Sequence, residues 1–289
     1  MEKSNCDLCG SEMSKPLTRY DFQVFPCCVS ICMKCGLVKL NPRWEKNKYQ
    51  HFYKKKYDFF YRGPDKSTKE LFEIDLMSKG QKMRERLSNI SLPKKIKMLD
   101  IGAGTGALFF SVPGNREIKS YAIEASQKCV PFLWSKGVTV IGTDFSDDFG
   151  NGYDFIVARH VLEHSLNPIG LLTKIYSSLK KEGYLYLVVP NTMAFNRKKA
   201  GSFFRHPHTY YFNIHTLLKV CLKCGLYAVS AGWQGELWAV LMKTKTNYVI
   251  PYISPNDQLN TIKEIKKYRR FSLKSGTFSI LRRVYYRAF

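Results

Sequence analysis

"MLDIGAGTG", residues Met98 to Gly106, decides how the rest of this chain is read. An apolar run that includes one acid, Asp100, leads into glycines at 102, 104 and 106. The run reads as a strand. Glycine at every second position reads as a turn whose backbone comes very close to a ligand. A helix beginning after such a turn would aim unpaired amide N–H groups at that ligand, the usual way of holding a nucleotide. The spacing Gly102-x-Gly104-x-Gly106 is tighter than the dinucleotide fingerprint G-x-G-x-x-G. Two further acids extend the pattern. Glu124 closes the next strand-like stretch, where a carboxylate can take both ribose hydroxyls. Asp144, at the end of the third, can accept from an adenine amino group. The glycines alone also fit an ordinary Rossmann-like domain that binds NAD.

Working outward, strand-like segments alternate with helical ones. "IKMLDIG", "KSYAIE", "VTVIGTD", "YDFIVAR" and "YLYLVVPN" are separated by "ALFFSV", "SQKCVPFLWSKG" and "PIGLLTKIYSSLKKEG". That order implies an α/β fold, a parallel sheet with helices on both faces. "HTLLKVCLKCG" reads as a helix stopped by Gly225, and "LYAVSAGWQ" and "LWAVLMKT" as a closing pair of strands. Upstream, residues 43–93 look helical, basic and aromatic. They begin with "HFYKKKYDFFYRG" and continue in a helix from Lys69 to Leu87 with Phe72, Leu76, Met83 and Leu87 on one face. Four regions follow: 1–42, cysteine-rich; 43–93, a connector and lid over the cofactor; 94–250, the nucleotide-binding domain; and 251–289, a basic tail.

Nine cysteines in a chain without an apolar leader or an 18-residue apolar span point to a cytosolic protein with metal ligands or free thiols. Cys6-x-x-Cys9 and Cys32-x-x-Cys35 are each followed by glycine, which lets two thiolates face one ion. Two such knuckles form a four-cysteine zinc signature, structural because no coordination position stays open. Cys221 and Cys224 have the same spacing but end an apolar-periodic helix, so they are read as packing.

The stretches "LDIGAGTG", "AIEAS", "GTDF", "YDFIVARHVLEHSLNP" and "VVPN" together resemble the class I S-adenosylmethionine-dependent methyltransferases, over about residues 95–245. The resemblance implies a Rossmann-like, mostly parallel seven-stranded sheet with helices on both faces, plus the small zinc-binding module. It implies S-adenosylmethionine as cofactor, its methionine end on the loop of Gly102, Gly104 and Gly106. Asp100, Glu124, Asp144 and His160 would complete that site. With the four-cysteine module and "CGLVKLNP" behind it, the chain resembles the sugar C-methyltransferases and their relatives in surface-polysaccharide synthesis. Those enzymes carry a stretch like "HEHFSYFS", which His206, His208, Tyr211 and Phe212 match. Pro207 stands where the family has glutamate, which favours O-methylation over carbon-acid chemistry. His208 is then the base, Tyr211 its hydrogen-bonding partner, and His164 a further catalytic candidate.

The net charge of +23, from 46 basic and 23 acidic residues, suits anionic partners or a lysine-rich solubilising surface. In the tail, Lys263, Lys266, Lys267, Arg269 and Arg270 alternate with Tyr268 and Phe271, and Arg282, Arg283 and Arg287 with Tyr285, Tyr286 and Phe289. Such a segment suits the inner face of an anionic membrane, RNA, or docking on its own domain. The expected acceptor is a small molecule or sugar, phosphorylated or nucleotide-linked. The rivals are an RNA methyltransferase with a zinc finger, for which nucleic acid fits less well because "ARHVLEH" replaces an "NPPY"-like motif, and a non-catalytic scaffold that keeps the cofactor site.

Overall fold

The computed structural model describes residues 1–20, 26–55, 67–191, 204 and 207–243. The basic tail, "NRKKAGSFFR" apart from Phe204, His206 and much of "HFYKKKYDFFYRG" lie outside the described residues.

The strand ending in the glycine loop is β4 (Lys95–Ile101), at the centre of the main sheet. β5 (Glu117–Ile123) and β6 (Thr139–Gly142) lie to one side. β7 (Tyr153–Arg159), β8 (Leu179–Pro190), β11 (Glu236–Met242) and β10 (Tyr227–Gly232) lie to the other. β4 through β8 pair in parallel, and only β11 runs antiparallel to its neighbours. The expected seven-stranded, mostly parallel sheet is therefore observed. A parallel sheet is buried on both faces, which is why β4 and β7 are near-continuous apolar runs. One face packs Leu99, Ile101, Ile156, Leu185 and Leu187 with Leu172, Ile175, Leu217 and Cys221 from helices. The other packs Met98, Phe155, Val157 and Val188 with Met83, Leu87 and Leu133.

Several local expectations are corrected. "ALFFSV" forms a short 3-10 helix, Ala107–Ser111, and the helix in "SQKCVPFLWSKG" is confined to Val130–Ser135. The helix starting at Pro168 ends at Ser178, because Leu179 already pairs with Tyr153 in the sheet and Lys180 reaches Asp154 across the strands at 2.5 Å. The 69–87 helix is interrupted. It runs Thr68–Asp75, opened by a capping box between Ser67 and Glu70, then through a π turn at Leu76–Gly80, then Gln81–Arg86. The π turn brings Gly80 against Ser111 of the 3-10 segment, and Phe72 packs on Phe110 and Phe132 at 5.6 Å.

The N-terminal residues form a second, antiparallel sheet: β1 (Ser14–Tyr20), β2 (Pro26–Cys32), β3 (Val38–Leu40) and, from far along the chain, β9 (Tyr210–Tyr211). Val38 pairs with Tyr211 and Lys39 with Tyr210. Val29, Ile31, Val38, Leu40, Phe204 and Tyr211 make its core. The module is thus more than a pair of knuckles, and part of it comes from the loop expected to face the acceptor. Among the described residues no helix is long and apolar enough to cross a membrane.

The contact at Gly80 is testable. A Cβ there would meet Ser111 Oγ at 2.2 Å and its Cβ at 3.1 Å. Gly80→Ala should destabilise the protein by about 1–3 kcal/mol through overpacking. The cost should shrink in a Ser111→Gly background, measured as a double-mutant cycle by urea unfolding. Equal costs in both backgrounds would show that the close approach is not energetically important.

Candidate functional site: a cofactor cradle beside a histidine cluster

In a parallel sheet the ligand site lies beyond the carboxyl ends of the strands. Here Gly102–Gly106, Glu124, Asp144, His160 and Asn191 follow β4, β5, β6, β7 and β8 at that end. Gly102, Gly104 and Gly106 all have positive φ, at 71°, 57° and 77°. Their surroundings differ. A Cβ on Gly102 would meet Val161 at 2.9 Å, and one on Gly106 would meet Leu133 at 2.6 Å, so these two glycines serve internal packing. A Cβ on Gly104 would meet nothing within 4 Å. A side chain there would project into open space at the carboxyl end of β4.

Glu124 is buried and braces the cradle. One carboxylate oxygen accepts from Gly104 N–H at 2.6 Å and the other from Ser126 N–H at 2.7 Å. Asp100 is 2% exposed, and its Oδ2 has no hydrogen-bond partner. Burial, together with the nearby Glu124 charge, pushes its carboxyl well above the usual range. A cationic ligand group would relieve that. Asp144 is exposed and accepts from Ser146 N–H at 2.8 Å and Ser146 Oγ at 2.6 Å. Asp147, unnoticed in the sequence, ties the same loop by accepting from the N–H groups of Thr143 and Asp144.

His160 and His164 do not share a helix face. His160 stands at φ 56°, the one non-glycine residue with positive φ among the described residues, and only Leu162–His164 is helical. Positive φ in a non-glycine residue at a strand end is strain of the kind found at functional sites. The His160 ring, 31% exposed, lies between Glu163 (3.2 Å) and Glu236 (3.0 Å). Burial alone would lower its pKa, but the two carboxylates outweigh burial and raise it. Glu236 also binds Arg159 at 2.5 Å. Burial works against its charge, but His160 and Arg159 hold its carboxyl down at about 2.

His208, His164 and Tyr211 are brought together. The His164 and His208 rings meet edge-on at 4.8 Å, and His208 lies 6.1 Å from Tyr211. His164 Nδ1 donates to the carbonyl of Pro207 at 2.9 Å. The catalytic candidates His164 and His208, from separate segments of the sequence, therefore lie in one cluster. Sequence reasoning missed Glu163, Arg159 and Glu236. Glu163 was visible between the two histidines of "HVLEH", whereas Glu236 carries no local signal.

The cysteines also meet. The Sγ atoms of Cys6, Cys9, Cys32 and Cys35 all lie within 4.8 Å of one another, with Cys6–Cys35 at 3.4 Å and Cys9–Cys32 at 3.5 Å. A tetrahedral zinc site with Zn–S of about 2.3 Å requires S···S separations of roughly 3.8 Å. Gly10 and Gly36, both at positive φ, close the knuckles with bonds back to the carbonyls of Cys6 and Cys32. The donor set and its spacing therefore fit zinc. Cys221 is buried within the helix Ile214–Lys223, and Gly225 follows at φ 77°, as expected for packing residues.

The cradle makes a specific prediction. Gly104→Ala should cost about 1–2 kcal/mol in stability from the left-handed backbone, yet reduce S-adenosylmethionine affinity at least tenfold by filling the open space. Glu124→Ala should also weaken binding. Unchanged calorimetric affinity in both variants would remove the cofactor from this loop.

A family model described as "Methyltransferase domain" matches residues 76–231, more than half of the chain. No curated protein matches. Among solved structures, the chain is similar to magnesium protoporphyrin IX methyltransferase from Synechocystis with bound S-adenosylhomocysteine (15% identity, TM-score 0.51, covering 69% of this chain and 100% of that one). It is similar to 1,6-didemethyltoxoflavin-N1-methyltransferase from Burkholderia thailandensis (14%, 0.51, 74% and 98%). It is also similar to an S-adenosylmethionine-dependent methyltransferase from Thermotoga maritima described as a possible histamine N-methyltransferase (16%, 0.50, 65% and 98%). At these identities the structures speak for the fold. The family match, the strand order and the glycine cradle agree, and the chain belongs to the methyltransferase-domain family as a class I S-adenosylmethionine-dependent enzyme.

Proposed function

We propose that this methyltransferase acts on a hydroxyl of a sugar or related small anionic metabolite bound for a surface polysaccharide or lipid, and that its cysteine module holds a structural zinc ion. The observation that carries this reading is the junction between the two sheets. Tyr210 and Tyr211 pair with β3, so the loop bearing His208 is held at the carboxyl end of the methyltransferase sheet, where His208 meets His164. An N-terminal four-cysteine module is what the likeness to the sugar methyltransferases leads one to expect. Pro207, in place of an acid, offers only a backbone carbonyl, and that carbonyl orients His164. With no carboxylate at that position, activation of a hydroxyl is favoured over proton abstraction from carbon.

When bound, S-adenosylmethionine supplies an electrophilic methyl group. Glu124 and the Gly102–Gly106 loop fix the cofactor's position, and Asp100 offers its buried carboxyl to a cationic group. His208 and His164 activate the acceptor hydroxyl, with Tyr211 beside them. Positioning supplies much of the rate, because the oxygen must lie in line with the methyl group. Catalytic help with the hydroxyl proton adds roughly 10²–10⁴-fold. The basic tail is assigned to an anionic membrane surface at the cytoplasmic face.

The net charge of +23 favours RNA as the rival acceptor. Incubation of the enzyme and methyl-labelled cofactor with a cell extract separates the readings. Label should enter glycan precursors or small molecules, and label confined to RNA would overturn the proposal. His208→Ala should lower turnover by about 10²–10⁴-fold with S-adenosylmethionine affinity unchanged. Near-normal turnover would reduce the loop to a packing element.

A further inference from the structure

Apart from the four cysteines, one group of ligand-bearing side chains converges among the described residues. One ligand atom each from Glu163, His164 and His208 lies within 4.8 Å of the others. Glu163 is 1% exposed, and neither of its carboxylate oxygens has a hydrogen-bond partner. Its two imidazole neighbours, His160 Nδ1 at 3.2 Å and His164 Nε2 at 3.8 Å, both approach Oε1. Burial works against its charge, but these imidazoles hold the Glu163 carboxyl below its usual range. Because both approach Oε1, Oε2 stays buried without a hydrogen-bond partner, which is costly unless a ligand completes it.

The state of His164 sharpens the point. Its Nδ1 faces the carbonyl of Pro207 at 2.9 Å, and a carbonyl only accepts, so Nδ1 carries a proton. Its Nε2 faces Glu163 Oε1 at 3.8 Å. An imidazole anchored through its other nitrogen to a backbone carbonyl is the usual outer support of a metal ligand. His208 arrives from a different segment and is fixed by the fully buried Thr209, whose N–H and hydroxyl donate to the carbonyl of Glu163 at 2.8 and 3.0 Å.

We propose that Glu163, His164 and His208 bind a divalent transition-metal cation, separate from the cysteine-held ion, and that its open coordination position takes an oxygen of the acceptor. Two imidazoles and one carboxylate suit zinc, manganese, iron or cobalt and leave room for oxygen ligands. The site follows β7, and Val161, two residues before Glu163, packs against Gly102 of the cofactor loop. The acceptor class this favours is a vicinal diol, which chelates such an ion through two oxygens. On the ion the acceptor's O–H bond breaks and its proton passes to solvent. The oxygen's electron pair forms the new C–O bond as the C–S bond of the sulfonium breaks. That bond pair stays on sulfur, leaving a neutral thioether. His208 then activates the hydroxyl through the ion. This catalytic half rests on the reading of the loop as acceptor-facing, whereas the binding half does not.

Cobalt(II) distinguishes the two sites. Full-length protein stripped of metal, loaded with Co²⁺ and freed of excess should hold two ions per chain. One should show the intense thiolate-to-cobalt absorption of the cysteine site, and the other should not. Glu163→Gln and His208→Ala should each lose the second ion and keep the first, its thiolate band and S-adenosylmethionine binding, which shows that the variants are folded. Cys9→Ser should lose the thiolate band and, because the module holds the loop bearing His208, weaken the second ion as well. A single, thiolate-bound ion in the wild type, or a second ion that survives both variants, would overturn the proposal. Absence of the thiolate band with the other ion retained would sink the cysteine reading alone. Protein with only the cysteine site filled should turn over at least tenfold more slowly, and unchanged turnover would overturn the catalytic half.

Discussion

Thr209 is fully buried, and every polar atom it has is committed. Its N–H donates to the carbonyl of Glu163, its hydroxyl is shared between the carbonyls of Glu163 and Ser165, and its own carbonyl accepts the N–H of Leu40 at 2.9 Å. One residue therefore ties three pieces of chain separated widely in sequence: the turn after β7, the loop bearing His208, and β3 of the N-terminal module. Buried backbone groups must find partners, so the register on either side of Thr209 is fixed. His208 is placed beside His164, and Tyr210 and Tyr211 are placed as a strand. Tyr210 faces the core that contains Cys6, Cys32 and Leu37, with its hydroxyl held by Arg43 at 3.0 Å. Tyr211 faces Val38 and Leu40 on the other side. The cysteine cluster and the methyltransferase site are thus two ends of one packed structure. Lys223 adds a further tie, donating to the carbonyl of Leu8 at 2.9 Å.

The carboxyl end of the sheet gathers four acids out of water, and each is balanced differently. Glu124 is satisfied by backbone N–H groups, and Glu236 by Arg159 and His160. Glu163 has only loosely placed imidazoles, and Asp100 has an oxygen with no hydrogen-bond partner. Unbalanced buried carboxylates disfavour folding, and here they occur where ligands arrive. Glu236 too keeps one oxygen, Oε2, without a hydrogen-bond partner, with Lys82 and Arg86 at 3.9 Å.

The parts of this arrangement legible in the sequence are those with local causes. The seven strands were readable because buried parallel strands are apolar runs cut by glycine, and the cradle because three positive-φ positions require glycine in one short loop. The cysteine pairs were readable from spacing alone. Gly80 and the π turn were not, because one extra residue in a turn leaves the apolar face of Phe72, Met83 and Leu87 nearly intact. The start of β8 was hidden for another reason. "LKKEG" continues the amphipathic pattern of the preceding helix, and only its pairing with Tyr153 and Asp154 makes it strand. The joining of Tyr210–Tyr211 to β3 has no local signature, since its partners lie some 170 residues away. For the same reason nothing local shows that His164 and His208 touch.

The central claim is that the four-cysteine module holds the acceptor loop in place through the β3–β9 ladder. Amide hydrogen exchange tests it directly. In the metal-loaded protein the N–H groups of Leu40 and Thr209 should be strongly protected. Removing the cysteine-bound ion should expose both, while amides of β4 and β7 keep their protection. Unchanged protection at Leu40 and Thr209 after the ion is gone would show that the loop stands without the module, and would contradict the account.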